Sequence, residues 1–384
     1  MKLLIVTQKV DIDDDVLGFF HDWIAEFAKH CEKVTVICLE KGNYDLPSNV
    51  VVKSLGKESY KSPLERSTPD SSYNSPLSKG STPEGGGVQS PSKIIQRLKY
   101  LSRYYKLIWK YRKEYDQVFV HMVPMYVNIG WPVWRILRKR IDLWYTHGSV
   151  DFNLRLAEKL VKNIFTATKE SCRLVSKKII VVGHGIDCLK FIPKEKPQNG
   201  ILNIILIGRI SPVKKYEDII LAAGLLRKKS INNFQVSIIG KAIKEEDERY
   251  LDSLKNKVAE LDLNECVNFV GSVSFEEIQK YYQDCDLFVH TSQTGSLDKV
   301  LLEAMAMSRI TISSNPASKD ILSEFGQEYI YKSGDINELA EKIIAVLNMK
   351  TEKRNEVGSK LREIIKRDHN MEGLLEKISN IIKK

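Results

Sequence analysis

The chain has 384 residues, 59 Lys plus Arg against 49 Asp plus Glu, a net charge of +10 at pH 7 and 43% apolar residues. That length exceeds what one hydrophobic core serves, and that apolar content is enough to bury two cores, which excludes a fibrous or wholly disordered chain and predicts two domains. Nucleic acid is excluded as a partner because the cations are interleaved with acids and no helix-turn-helix, zinc-finger or RNP-type signature accompanies them.

In chain order, apolar runs of strand length alternate with amphipathic segments of helix length, which predicts βαβ units and parallel sheets. In the first half the expected strands are 3–7, 34–39, 50–55, 118–122, 143–146, 164–167 and 179–182. In the second half they are 204–208, 235–239, 267–270, 287–290 and 311–313. Two doubly wound α/β domains follow, and ligands in such sheets bind outside the carboxyl ends of the strands. The expected division is an N-terminal domain over 1–186, a C-terminal domain over 187–366, and a terminal helix over 367–384 packing back on the first. Six cysteines, at 31, 38, 172, 188, 266 and 285, show no C-x-x-C pairing, and no signal peptide opens the chain. The longest apolar stretch, 118–134, is interrupted by His121, Pro124, Asn128 and Pro132. A cytoplasmic, reduced protein without a transmembrane helix is expected.

Segment 56–92 departs from this rhythm. It shifts to Ser, Pro, Thr, Gly and charge, and Y-K-S-P-L at 60–64 recurs as Y-N-S-P-L at 73–77. Such a stretch cannot bury a core and reads as a disordered surface insertion; Ser62, Thr68, Ser75, Thr82 and Ser90 each precede a proline, a pattern that a Pro-rich linker gives by chance and that is also compatible with phosphorylation. A helix is predicted next, over 93–113. Ile94, Leu98, Leu101, Tyr105 and Ile108 form one apolar stripe, expected to face the sheet, while Lys99, Arg103, Lys106, Lys110 and Lys113 repeat on the far side with Tyr100, Tyr104 and Tyr111 between. The commoner meaning of such a face is a solvated one; here Trp131, Trp134, Arg135, Arg138, Lys139 and Arg140 add to it, which suits an anionic membrane surface at the inner face of the plasma membrane.

Two loops carry the chemistry. After the strand 204–208, Gly208 permits a close turn and Pro212 fixes the loop, so Arg209 and Lys214 can converge on one point. Two cations at one point suit a diphosphate. The second loop, S-Q-T-G-S-L-D at 292–298, runs into an apolar helix bearing Glu303, which turns backbone N–H groups toward an anion and sets a carboxylate within reach of a sugar hydroxyl. Alone, each loop is also compatible with a solvated turn or an ordinary helix start.

Five ordered motifs, G-R-I-S-P-V-K at 208–214, V-N-F-V-G-S-V at 267–273, Y-Y-Q-D-C-D-L-F-V-H-T-S at 281–292, L-E-A-M-A at 302–306 and G-D-I-N-E-L-A at 334–340, make the chain resemble retaining glycosyltransferases of family 4. K-L-L-I-V-T at 2–7, G-H-G-I-D at 183–187 and the loop containing Gly18 extend the resemblance more weakly into the first half. It implies a GT-B fold, two Rossmann-like domains facing across a cleft, and transfer of a sugar from a UDP- or GDP-linked donor to a glycan or lipid-linked acceptor in surface polysaccharide or glycolipid synthesis. No cofactor or metal is expected, since Arg209 and Lys214 would stabilise the leaving diphosphate.

By the same resemblance the donor would meet Gly18, Arg209, Lys214, Val273, Gly295, Ser296, Leu297, Asp298 and Glu303. His121 would approach the reacting centre, and His147 would serve as an acceptor or sugar contact; His21, His184 and His290 read as structural or as loop contacts. The chain departs from the family at Gly295, eight residues before Glu303, where a carboxylate is usual, and Asp298 stands in the same loop as a substitute for part of that role. The departure keeps open a nucleotide-binding scaffold without turnover, and, more remotely, a nucleotide-sugar 2-epimerase.

Overall fold

A computed structural model describes residues 1–14, 17–57, 91–194 and 200–384. The repeated segment and its Ser/Thr-Pro pairs fall within 58–90, outside the described residues. Two units emerge: Met1–Val182 with Glu372–Lys384, and Gly183–Met371. The division falls at Gly183, four residues ahead of the boundary read from the sequence, and 367–371 group with the second unit. The terminal helix Met371–Lys383 follows a longer one, Thr351–Asp368.

In the first unit the strands are β1 (Lys2–Val10), β2 (Lys33–Lys41), β3 (Val50–Ser54), β4 (Gln117–His121), β5 (Arg140–Trp144), β6 (Asn163–Thr166) and β7 (Ile179–Val181). They form one parallel sheet in the order β3-β2-β1-β4-β5-β6-β7. In the second unit β8 (Leu202–Ile207), β9 (Phe234–Ile239), β10 (Val267–Gly271), β11 (Leu287–His290) and β12 (Ile310–Ser313) form a parallel sheet in the order β10-β9-β8-β11-β12. Both are doubly wound, and each reverses direction once, between β1 and β4 and between β8 and β11. The strands are apolar runs because helices cover both faces: Leu3, Leu4, Ile5, Val118, Phe119 and Val120 are all buried.

One helix packs otherwise than its apolar stripe suggests. The helix Pro91–Lys110 buries Tyr100, Tyr104 and Ile108, whereas Ile94, Leu98 and Trp109 are 48%, 58% and 48% exposed. The tyrosine face wins because rings bury more area than Ile or Leu and each keeps a polar tip satisfied. Tyr104 stacks on Tyr126, with centroids 5.7 Å apart, and donates to the Tyr126 carbonyl at 2.9 Å; Tyr105 donates to the Ile129 carbonyl at 2.7 Å. Two of the five residues of the expected inward stripe, Ile94 and Leu98, therefore lie on the surface. No described helix is long and apolar enough to cross a membrane.

Candidate functional site

Where β8 and β11 diverge, two loops leave the carboxyl edge of the second sheet side by side. The first follows Ile207 and winds through a 3-10 turn, Pro212–Lys214, with Lys215 at φ 53°. The second follows His290. They are stitched together by backbone: Gln293 N–H donates to the Val213 carbonyl at 2.9 Å, and the Thr291 hydroxyl donates to the Lys214 carbonyl. Tyr216 closes the first loop from below, its hydroxyl donating to the Gly208 carbonyl at 3.0 Å. Gly240, at the end of β9, sits at φ 147°, a conformation that suits glycine.

Lys214 is the centre of this arrangement. Its Nζ lies 2.5 Å from Asp298 Oδ2 and donates to Ser292 Oγ at 3.2 Å. Asp298 also accepts from His290 Nε2 at 2.9 Å and from Thr294 Oγ1 at 3.3 Å. Burial pushes the Asp298 carboxyl up, but the His290 hydrogen bond and the Lys214 ammonium outweigh it and hold the group well below the usual carboxylate range. The result is an ionised aspartate paired with an ammonium at the strand ends, with hydroxyls from Ser292 and Thr294 beside it. Asp298 thus has protein partners where the sequence suggested sugar hydroxyls. His290, read from the sequence as structural or as a loop contact, makes that contact to the loop through Asp298 and is a member of this cluster. Arg209 is exposed and makes no hydrogen bond or ion pair among the described residues, so it does not share the Lys214 network.

Glu303 lies on the helix Lys299–Ala306 and accepts a 2.9 Å hydrogen bond from the Tyr282 hydroxyl. Burial lifts its carboxyl above the usual range, opposed by Lys299 and by Tyr282. Gly295 adopts φ 71°. The Ser296 carbonyl accepts from Asn315 Nδ2 at 2.9 Å, which fixes the loop's exit. Leu297 points inward, 3% exposed, and its carbonyl is taken by His184 Nε2 at 2.9 Å. Burial lowers the His184 pKa to about 3, with help from His369 and Lys299, so the imidazole is neutral. Val273 packs partly buried against the core of the second unit, after β10.

In the first unit His121 ends β4 at the sheet's own point of reversal. Its Nδ1 lies 3.2 Å from Thr7 Oγ1 on β1, and its ring stacks on Phe20 at 3.7 Å. Met122 follows with φ 64°, which terminates the strand one residue sooner than the sequence suggested. Gly18 opens the helix Gly18–His30; a Cβ there would stand 2.9 Å from the Ile12 carbonyl oxygen, so the position requires glycine. His147 lies beyond β5, which stops at Trp144 rather than at 146, and is exposed with its Nδ1 accepting from Ser149 N–H at 3.1 Å.

Two doubly wound sheets in one chain, matched over their full length by solved glycosyltransferase structures, have the GT-B fold, and residues 190–364 match the family model described as glycosyl transferases group 1. Over 187 residues, 47% of this chain, the sequence is 24% identical to human GDP-Man:Man(3)GlcNAc(2)-PP-Dol alpha-1,2-mannosyltransferase. Over 173 residues, 43% of this chain, it is 30% identical to amylovoran biosynthesis glycosyltransferase AmsK of Erwinia amylovora. These matches span only 38% and 41% of the relatives' own lengths. Among solved structures, Anabaena Alr3699/HepE in complex with UDP superposes with a TM-score of 0.71, covering 100% of both chains at 16% identity, a likeness of fold.

Proposed function

We propose that the protein is a retaining glycosyltransferase that moves a sugar from a UDP- or GDP-linked donor onto a glycan or lipid-linked acceptor. The observation that carries this reading is the ammonium of Lys214, held with Ser292 and Thr294 at the carboxyl ends of β8 and β11. That edge is where doubly wound sheets take phosphorylated ligands. A departing diphosphate needs positive charge and donors already in place, and Lys214, Ser292 and Arg209, which has no partner among the described residues, supply both from the protein, which favours a metal-independent reaction. Glu303 is assigned to a donor hydroxyl, Gly18 and His121 to the donor sugar, and His147 to the acceptor or the sugar.

The relatives' names support the substrate class, since one is named for a GDP-Man donor and a Man(3)GlcNAc(2)-PP-Dol acceptor and another for amylovoran biosynthesis. An acceptor of that kind fits work at a membrane surface, and the exposed apolar and basic sides of the helix Pro91–Lys110 suit an anionic inner leaflet. Gly295, at φ 71° and without a carboxylate, favours a second reading in which the nucleotide site persists without turnover.

A thermal-shift screen of the full chain against UDP-, GDP- and ADP-sugars tests the first reading. A donor at a hundred times its Kd adds about 2.7 kcal/mol. Stabilisation together with transfer to a glycan acceptor panel supports it; binding without transfer favours the scaffold; silence from every nucleotide sugar overturns both.

A further inference from the structure

We propose that His290 is a positioning residue for Lys214, acting through Asp298 and anchored by Ser313. The inference rests on the reading of Lys214 as the leaving-group cation. His290 and Ser313 are register partners at the ends of β11 and β12, so their side chains leave the sheet together. His290 Nδ1 lies 3.1 Å from Ser313 Oγ and its Nε2 lies 2.9 Å from Asp298 Oδ2. A carboxylate can only accept, so the ring proton sits on Nε2. Ser313 Oγ accepts from Asn315 N–H at 3.1 Å and lies 2.8 Å from Ser318 Oγ, whose own proton goes to the Asn315 carbonyl at 2.7 Å; with Nε2 carrying the ring proton, Nδ1 accepts from Ser313.

The chain of contacts from Ser318 through Ser313, His290 and Asp298 ends on the Lys214 ammonium, and Ser318, Ser313 and His290 are buried. A lysine on a loop has four rotatable bonds and a freely moving charge. Here one carboxylate oxygen, Asp298 Oδ2, receives both His290 and Lys214, so the orientation of the carboxylate is set by the histidine and the place of the ammonium by the carboxylate. The arrangement pre-places the cation before a diphosphate arrives, which is where electrostatic catalysis gains most.

Competitive acetylation of the full-length protein with acetic anhydride, read at Lys214 by mass spectrometry, tests the tether without any donor. Lys214 should become several-fold more reactive in His290→Ala and in Asp298→Asn, no more so in the double variant, and return toward wild type in His290→Gln, whose amide still reaches Asp298. Equal reactivity in wild type and His290→Ala would overturn the proposal. In transfer assays kcat should fall about tenfold in His290→Ala, with no further loss when Asp298 is already Asn. The same loss in both backgrounds would mark a merely structural histidine and overturn positioning, as would undiminished transfer by His290→Ala. A reactivity change in a protein that neither binds UDP or GDP nor transfers sugar would uphold the tether and overturn the glycosyltransferase reading.

Discussion

A Cβ on Gly240 would stand 1.9 Å from the carbonyl oxygen of Gly208, so the turns that end β8 and β9 pack backbone against backbone. No side-chain rotation relieves that contact. Gly240→Ala must displace the stretch from Gly208 to Arg209, at a cost of about 1–3 kcal/mol for overpacking plus the strain of a positive φ. A lower unfolding midpoint is expected, together with weaker donor binding, because the loop that moves carries Lys214. An unchanged midpoint in thermal unfolding would show slack where the structure has none.

Removing the ammonium separates chemistry from folding. Lys214→Ala should lower transfer about 10²-fold or more by taking charge away from the leaving diphosphate. Asp298 then keeps His290 and Thr294 but loses its ion-pair partner, so the variant should also be less stable by about 1–3 kcal/mol. Steady-state kinetics and denaturant unfolding on the same preparation check both. Wild-type turnover in this variant would remove Lys214 from the reaction.

The two units should respond oppositely to mild acid. In the first, Asp142 is fully buried, with Oδ1 bonded to Asn163 Nδ2 at 2.7 Å and no hydrogen-bond partner for Oδ2. Burial lifts its pKa to about 6, against smaller opposing effects of Asn163 and Arg140. The folded state holds this proton more tightly than the unfolded chain, so its contribution is greatest below about pH 4 and is lost as pH rises through 6. Asp142→Asn should stabilise at pH 7 by on the order of 2–3 kcal/mol, with the gain vanishing near pH 4.

In the second unit the backbone N–H of His184 donates to His369 Nδ1 at 3.2 Å, and burial lowers the two imidazoles to about 3 and about 4. The unfolded chain takes up these protons near pH 6.5 and the folded one does not, so stability there falls as pH drops from 6.5 toward 4. Unfolding midpoints across pH 4–7 for wild type and for Asp142→Asn resolve the two trends; parallel curves would refute the first assignment.

The exposed apolar side of the helix Pro91–Lys110 makes the membrane reading specific. Replacing Ile94, Leu98 and Trp109 together by Ser should abolish flotation with anionic vesicles while sparing the unfolding midpoint, because none of the three is buried. Reversing Lys106 and Lys110 to Glu should remove the preference for anionic over neutral lipid. Wild-type protein that floats with neither vesicle would end the idea.

What the chain's order of residues determined by itself is the sheet architecture and the address of the site. Strands buried on both faces must be unbroken apolar runs, so β1 to β12 were legible one by one, and Gly208, Lys214, Ser292 and Glu303 stand where such strands and their helices change over. Tertiary structure alone decided the rest. The partnership of Lys214 with Asp298 joins residues 84 apart in sequence, and the part played by His290 depends on its register with Ser313, which no local pattern encodes. The orientation of the helix Pro91–Lys110 was likewise a competition between two plausible faces, decided by the area and hydrogen bonds that its tyrosines find on Tyr126 and Ile129. Periodicity reports that a face is apolar; only packing reports which face is covered.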